Sequence, residues 1–234
     1  MIIPVGDINP RRTVPFINYL LILSNITVFV WFFFLATHRE QQNVVTTGLL
    51  VPSRWSEHSY LTLFTSMFLH ADPLHLFGNM LFLWIAGDNV EDRLGHLPYL
   101  LFYFLCGLAG SAVHIYVATH LMTSMKDTET LGASGAISGV LGAYLVFFPK
   151  SKIKFMIWLI IFIRYFTLPS WGAIGFWIVG QIIMAREQLK ELKPGEQVKM
   201  QVAVFAHLGG FVFGIVWALF VRLFGRKPPR PAAD

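Results

Sequence analysis

The chain has 234 residues, of which 55% are hydrophobic and only 13% are Asp, Glu, Lys or Arg. This composition excludes an ordinary soluble domain and predicts a polytopic membrane protein. The formal net charge of +5 does not indicate nucleic-acid binding, because membrane proteins distribute basic residues according to topology. The single cysteine, Cys106, excludes an internal disulfide.

Six apolar stretches are predicted to form membrane-spanning helices. In chain order they cover residues 16–36, 73–87 with an extension through 90, 98–119, 132–148, 170–185 and 201–224. Residues 1–15 are expected to be a short cytoplasmic segment and residues 225–234 a basic tail, so that residues 1–234 form a single membrane domain. Residues 152–169 are apolar but interrupted by Arg164 and Pro169. We expect that segment to lie at the membrane surface or to re-enter the bilayer, with a short seventh span as the alternative.

The distribution of basic residues predicts that both termini are cytoplasmic. If the N-terminus is inside, 11 of the 18 Lys and Arg residues fall on the inner side and seven on the outer side. An excess of basic residues on the cytoplasmic side is the distribution that membrane proteins generally show. The chain is therefore predicted to be an all-α membrane protein with six spans and an N-in, C-in topology.

Four polar residues within the predicted spans suggest a catalytic site. Ser134 stands at the start of the fourth span, His207 about two turns into the sixth, and His75 and Asn79 in the first turns of the second. With the predicted orientation, all four lie in the outer half of the bilayer. Because a hydroxyl and an imidazole are costly there, Ser134 and His207 suggest a nucleophile and its general base. No acidic residue in these spans is an obvious third member, so a dyad is predicted rather than a triad.

Small residues recur every four positions in the fourth and sixth spans. The fourth span carries Gly135, Gly139 and Ala143, and the sixth carries Ala206, Gly210, Gly214 and Ala218. Stripes of small residues allow two helix backbones to approach closely. The pattern therefore predicts that these spans pack tightly enough to bring Ser134 within hydrogen-bond range of His207.

His75 and Asn79 are four residues apart and share a helix face. Together with backbone N–H groups at the start of the fourth span, their side chains could bind an oxyanion. His70 and His75 could instead hold a metal ion. The sequence has neither an H-E-x-x-H motif nor a cluster of carboxylates beside them, so no metal site is predicted.

The order of these motifs resembles the rhomboid family of intramembrane serine proteases, bacterial type, along nearly the whole chain. The resemblance rests on His75-Leu76-Phe77-Gly78-Asn79, Glu91-Asp92-Arg93-Leu94-Gly95, Gly132-Ala133-Ser134-Gly135 and Ala206-His207-Leu208-Gly209-Gly210. It implies a six-span core in which Ser134 is the nucleophile and His207 the general base. It also implies that His75, Asn79 and the Ser134 backbone N–H bind the oxyanion, and that Gly132 allows a close approach to that pocket.

Two positions depart from the family pattern. Many members have Trp-Arg in the first outer loop, where this chain has Ser59-Tyr60-Leu61, so the embedding of that loop is expected to differ. Some members carry an aromatic residue one turn after the nucleophile, against which the histidine packs. Here that residue is Ser138, so another group must orient His207.

The expected function is that of an intramembrane serine endopeptidase, which cleaves transmembrane helices through an acyl-enzyme on Ser134 without a metal, nucleotide or organic cofactor. Its expected partners are transmembrane protein substrates and membrane lipids, with no nucleic acid. Its expected location is the bacterial inner membrane, with the site opening to the outer face. The alternative is a non-catalytic rhomboid-like protein that binds or escorts client helices. A small transporter would show internal symmetry or paired broken helices, which the sequence does not have.

Overall fold

The computed structural model describes residues 2–56, 60–159, 162–190 and 203–225. The helices are α1 (Phe16–Val30), α2 (His38–Gly48), α3 (Thr62–Thr65), α4 (Pro73–Leu94), α5 (His96–Tyr116), α6 (Ser134–Phe147), α7 (Ser170–Lys190) and α8 (Val204–Phe224). The strands are β1 (Ile2–Ile8), β2 (Lys152–Leu159) and β3 (Phe162–Pro169). The predicted start of the last span at Gln201, Ser59 of the first outer loop and residues 226–234 of the basic tail lie outside the described residues.

Each of the six predicted spans contains one of the longer helices. Within the part of the chain that the structure describes, three stretches are long and apolar enough to cross a membrane, namely Phe16–Leu35, His96–Leu121 and Val204–Phe224. The first two extend α1 and α5 by one π-helical turn each. Helix α6 is apolar but has only 14 residues, a length of about 21 Å. The chain is therefore built to cross a membrane, while six crossings and the orientation stay predictions.

The structure is mostly helical, as predicted, but it is not all-α, because β1, β2 and β3 form an antiparallel sheet in that order. The apolar segment 152–169 supplies β2 and β3, which pair with each other along their length. It is therefore not a seventh helix. Strand β1 comes from the predicted N-terminal cytoplasmic segment and pairs with β2.

The sequence of β2 explains why it forms a strand. Lys152 and Lys154 alternate with the buried Ile153 and the partly buried Phe155, which is the two-residue period of a strand with one face toward the core. β2 also contains Ile157 and Trp158, so half of its residues are β-branched or aromatic types that favour strands. Phe155 stacks on Phe166 of β3 with ring centroids 5.3 Å apart.

Helix α6 is the central helix of the bundle. Every residue from Gly135 to Tyr144 is buried, and the helix packs against α4, α5 and α8. Its contact with α8 is backbone against backbone. A Cβ added at Gly210 or Gly214 would lie 2.0 Å from the carbonyl oxygen of Gly135 or Gly139, respectively. No side chain fits at either α8 position without moving one helix away from the other.

The two α6 glycines of this stripe differ in what they face. A Cβ at Gly139 would lie 2.3 Å from Cys106 Sγ of α5, so this glycine makes room for α5 as well as for α8. A Cβ at Gly135 would lie 3.6 Å from the Ala206 carbonyl oxygen, an ordinary van der Waals distance. Gly135 therefore takes part in the close approach through its carbonyl group. A side chain at this position would be tolerated better than one at Gly210.

A buried carboxylate joins α4 to the start of α1. Glu91 is fully buried and accepts hydrogen bonds from the backbone N–H groups of Ile17 and Asn18, at 3.0 and 2.7 Å. It also contacts the His96 Nδ1 atom. A carboxylate at a helix N-terminus satisfies N–H groups that have no partner within the helix and interacts favourably with the helix dipole.

A second carboxylate joins β1 to the bundle. Asp7 accepts hydrogen bonds from the Tyr144 hydroxyl at 2.5 Å and from Asn89 Nδ2 at 3.0 Å. Burial raises the pKa of Asp7 to about 6, although the hydrogen bond from Tyr144 acts in the opposite direction. The N-terminal strand is thus connected to α4 and α6 through a carboxyl group whose pKa is raised by burial.

Candidate active site

The loop before α6 places Ser134 at the first position of that helix. Gly132 has a φ of +118°, a backbone conformation that side-chain-bearing residues rarely adopt, so the turn requires glycine. Its N–H donates to the Ser66 carbonyl oxygen at 2.8 Å, which fixes the loop against the chain just before α4. The first N–H groups of a helix have no partner within the helix. The backbone around Ser134 therefore presents donors at the same place as the hydroxyl group.

His207 meets Ser134 across the α6–α8 contact. Its Nε2 atom lies 2.7 Å from Ser134 Oγ. His207 is in the first turn of α8 and is only 8% exposed. The glycine contacts explain the short distance, because Gly210 is one turn after His207 and packs directly on Gly135, the neighbour of Ser134.

The second ring nitrogen of His207 has a partner that the sequence analysis missed. Nδ1 lies 2.7 Å from Oε1 of Gln181, a buried residue of α7. The Trp177 ring, one helical turn before Gln181, lies 6.2 Å from the His207 ring. These two groups of α7 contact the His207 ring, whereas the Ser138 hydroxyl donates to the Ser134 carbonyl oxygen.

The signal for Gln181 was present in the sequence. An amide in the middle of an apolar span is costly unless it is hydrogen-bonded, so it is a candidate for a polar partner. The prediction of a dyad rests on the absence of an acidic third residue, whereas Gln181 is neutral.

His75 and Asn79 lie beside the loop that leads to Ser134. A Cβ at Gly132 would lie 2.9 Å from His75 Nε2 and 3.7 Å from Asn79 Nδ2. Asn79 Nδ2 is also 2.9 Å from His70 Nε2, which orients the amide. The sequence suggests His70 only as a possible metal ligand, whereas in the structure it contacts and orients the amide of Asn79. The imidazole and the amide therefore both lie against the glycine that precedes Ser134 by two residues.

Two other polar side chains near the site have structural partners. Asp72 caps α4 by accepting from the N–H groups of Leu74 and His75. His114 contacts Thr130 Oγ1 at 3.0 Å. Among the residues that the structure describes, no group of three His, Cys, Asp or Glu side chains could hold a metal ion.

Two cavities border the site. A cavity of about 20 Å³ beside Ser134, lined in part by Ser66, Ser111 and Gly132, has room for about one water molecule. A much larger apolar cavity of about 530 Å³ lies among α4, α6, α7 and the sheet, and Trp177 and Gln181 form part of its wall.

The arrangement can support acyl transfer. It combines a hydroxyl group hydrogen-bonded to an imidazole, an acceptor on the other imidazole nitrogen, and N–H donors beside the hydroxyl group. These are the relations that nucleophilic catalysis by serine requires. All the residues involved lie near the beginnings of α4, α6 and α8 or in the middle of α7.

Comparison with known proteins gives a consistent family. The family model of the Rhomboid domain matches residues 57–224, which is most of the chain. The chain is 26% identical to Rhomboid protein 1, mitochondrial, from Saccharomyces cerevisiae, over 70% of this chain and 42% of that protein. It is 30% identical to Rhomboid protease GluP from Bacillus subtilis, over 56% of this chain and 24% of GluP.

These relatives differ from one another in activity and in the membrane where they are found. The chain spans less than half the length of both proteins. It is also 24% identical to Inactive RHOMBOID-like protein 8 from Arabidopsis thaliana, over 65% of this chain. Since the relatives include mitochondrial proteins, they do not support the expected location in a bacterial inner membrane. On the match of the family model, however, this integral membrane protein belongs to the rhomboid family.

Proposed function

We propose that the chain is an intramembrane serine endopeptidase that hydrolyses peptide bonds in transmembrane segments of other proteins. The observation that carries the proposal is the 2.7 Å contact between His207 Nε2 and Ser134 Oγ. The contact joins two helices whose glycines let the backbones pack directly on each other, so the hydroxyl and the imidazole are held together by the core of the fold.

In the proposed reaction, Ser134 Oγ attacks the carbonyl carbon of the scissile bond while His207 Nε2 takes its proton. The tetrahedral intermediate collapses when the imidazolium returns that proton to the leaving amine, which leaves an acyl group on Ser134. A water molecule, deprotonated by the same imidazole, then attacks the ester. The bond from the acyl carbon to Ser134 Oγ breaks, the imidazolium returns the proton to Oγ, and the second product leaves as a carboxylic acid. No step requires a metal or an organic cofactor.

The negative charge on the carbonyl oxygen needs donors during both steps. We assign this role to the Ser134 backbone N–H, Asn79 Nδ2 and His75 Nε2, with Gly132 leaving the space open. The short distances from a Cβ placed at Gly132 to both side chains support the assignment. The start of α6 adds the positive end of its helix dipole.

We further propose that residues 1–234 form one domain with six spans, both termini cytoplasmic, and a site near the outer membrane surface. The common position of the site residues near the starts of α4, α6 and α8 supports one depth for all of them. A substrate helix must unwind locally, because an intact helix shields its carbonyl groups. Helix-destabilising residues in the substrate should therefore favour cleavage.

The alternative of a non-catalytic, client-binding protein has support from the inactive relative. The test is cleavage of a transmembrane substrate by the purified protein in liposomes, together with labelling of Ser134 by a fluorophosphonate. Cleavage and labelling by the wild type, both lost in Ser134→Ala, would support the protease. Binding of client helices without cleavage or labelling would support the alternative.

A further inference from the structure

We propose that Gln181 is a positioning residue for the general base, an inference that rests on the proposed protease function. Gln181 lies in the middle of α7 and is 9% exposed. Its Oε1 atom is 2.7 Å from His207 Nδ1. The Ser134–His207 dyad is therefore extended by a hydrogen bond to Gln181, so that the site draws on three helices rather than two.

The hydrogen bonds determine which nitrogen of His207 carries the proton. If the Ser134 hydroxyl donates to Nε2, that nitrogen has no proton of its own, and the neutral ring must carry its proton on Nδ1. The Gln181 carbonyl oxygen accepts this Nδ1–H. Gln181 thus favours the one tautomer in which His207 can accept the proton of Ser134.

Gln181 also restricts the orientation of the ring. The imidazole is held at Nδ1 by the amide and on one side by Trp177, both on α7. Without the amide, the ring could rotate about its side-chain torsions away from Ser134. A misplacement of about 1 Å at a reacting centre can cost about a hundredfold in rate.

The amide is neutral, which distinguishes this arrangement from a triad that ends in a carboxylate. A carboxylate both orients the histidine and stabilises the imidazolium by its charge. Gln181 supplies the orientation alone. The third member of the site is therefore a neutral residue and not an acidic one.

The test compares two substitutions at Gln181 that separate hydrogen bonding from packing. Gln181→Met keeps nearly the same volume but removes the carbonyl acceptor. Gln181→Glu keeps an oxygen acceptor at the same reach. We expect Gln181→Met to lower kcat and the rate of fluorophosphonate labelling roughly ten- to hundredfold, with KM and Tm close to those of the wild type. Gln181→Glu should retain most of the labelling rate.

Gln188→Met is the matched control. Gln188 is 8% exposed on the same helix, about 10 Å further along its axis, so the same substitution there should leave kcat unchanged. If Gln181 acted only through packing, Gln181→Met and Gln181→Glu would both retain activity, because both nearly preserve the volume of the side chain. That result, or equal losses in both variants that follow a fall in Tm, would overturn the inference.

The labelling assay separates this inference from the proposed function. If the wild type neither reacts with the fluorophosphonate nor cleaves substrate, the proposed protease function fails. If the wild type reacts and Gln181→Met reacts at the same rate, only the role of Gln181 fails. The ¹⁵N shifts of His207 supply an independent readout, because loss of the Nδ1–H tautomer in Gln181→Met is expected and its persistence would contradict the assignment.

Discussion

Replacing Gly210 by alanine should disable the site although the change adds a single methyl group and no charge. The new Cβ would lie 2.0 Å from the Gly135 carbonyl oxygen and 2.9 Å from the Gly135 carbonyl carbon. Ordinary contacts of a Cβ begin at 3.4 Å, so α8 and α6 must separate locally by about 1.4 Å. The obstacle is helix backbone, which cannot rotate aside as a flexible side chain can.

The displacement acts directly on the reacting atoms. Gly210 is one turn after His207, and Gly135 is the residue next to Ser134. If the separation is transmitted over that one turn, the 2.7 Å hydrogen bond opens to about 4 Å. We expect a loss of kcat of roughly a hundredfold. Overpacking of this kind should also reduce the free energy of unfolding by about 1–3 kcal/mol.

The assay is cleavage of a transmembrane substrate in liposomes, with thermal unfolding of the same preparations. Gly175→Ala is the matched control, because a Cβ at this α7 glycine would have nothing within 4 Å. It should cleave normally and be slightly stabilised, since alanine favours a helix by about 0.5–1 kcal/mol over glycine. Normal cleavage by Gly210→Ala would refute the reasoning that the α6–α8 backbone contact sets the geometry of the site.

Four further predictions follow from the contacts described above. Ser134→Ala and His207→Ala should each abolish cleavage, and the double variant should be no worse than either single one, because residues that act as a unit are not additive; losses that multiply would contradict the dyad. Asn79→Ala should lower kcat roughly ten- to a few-hundredfold with little change in KM, because the other donors share the oxyanion; normal turnover with failed binding would make it a substrate-positioning residue. Glu91→Gln should lower stability by about 3 kcal/mol in chemical unfolding, since it leaves two N–H donors of α1 facing an amide; an unchanged midpoint would contradict this. Burial raises the pKa of Asp7 to about 6, above its unfolded value, so its contribution to stability should be most favourable below about pH 4 and be lost as the pH rises through about 6. Asp7→Asn should therefore raise Tm at pH 7 relative to the wild type but not at pH 4. Equal Tm differences at both pH values would contradict the assignment.

The sequence places Gly139 and Gly210 on matching stripes of small residues in the fourth and sixth spans. The structure distinguishes them, because Gly210 faces the backbone of α6 whereas Gly139 chiefly faces the Cys106 side chain of α5. Substitution at Gly210 should therefore displace the site directly, and substitution at Gly139 should first displace α5.

Sequence alone determined the membrane character, the positions of the main helices and the pairing of Ser134 with His207. These features depend on local patterns: apolar length specifies a span, and four-residue spacing of small residues specifies which helix faces meet. Polar residues within such spans are few, and this limited the candidates for chemistry to a short list.

Only the tertiary structure decided the sheet and the third member of the site. The segment 152–169 is short and apolar, so its period does not by itself separate a strand from a membrane-associated segment. Its two strands, β2 and β3, pair with each other, and β2 also pairs with β1, a partner more than 140 residues earlier in the chain. The contact between Gln181 and His207 likewise joins residues 26 positions apart on different helices. A hydrogen bond depends on the rotation and depth of both helices, which spacing along one chain cannot specify, so the orientation of the base was decided by packing.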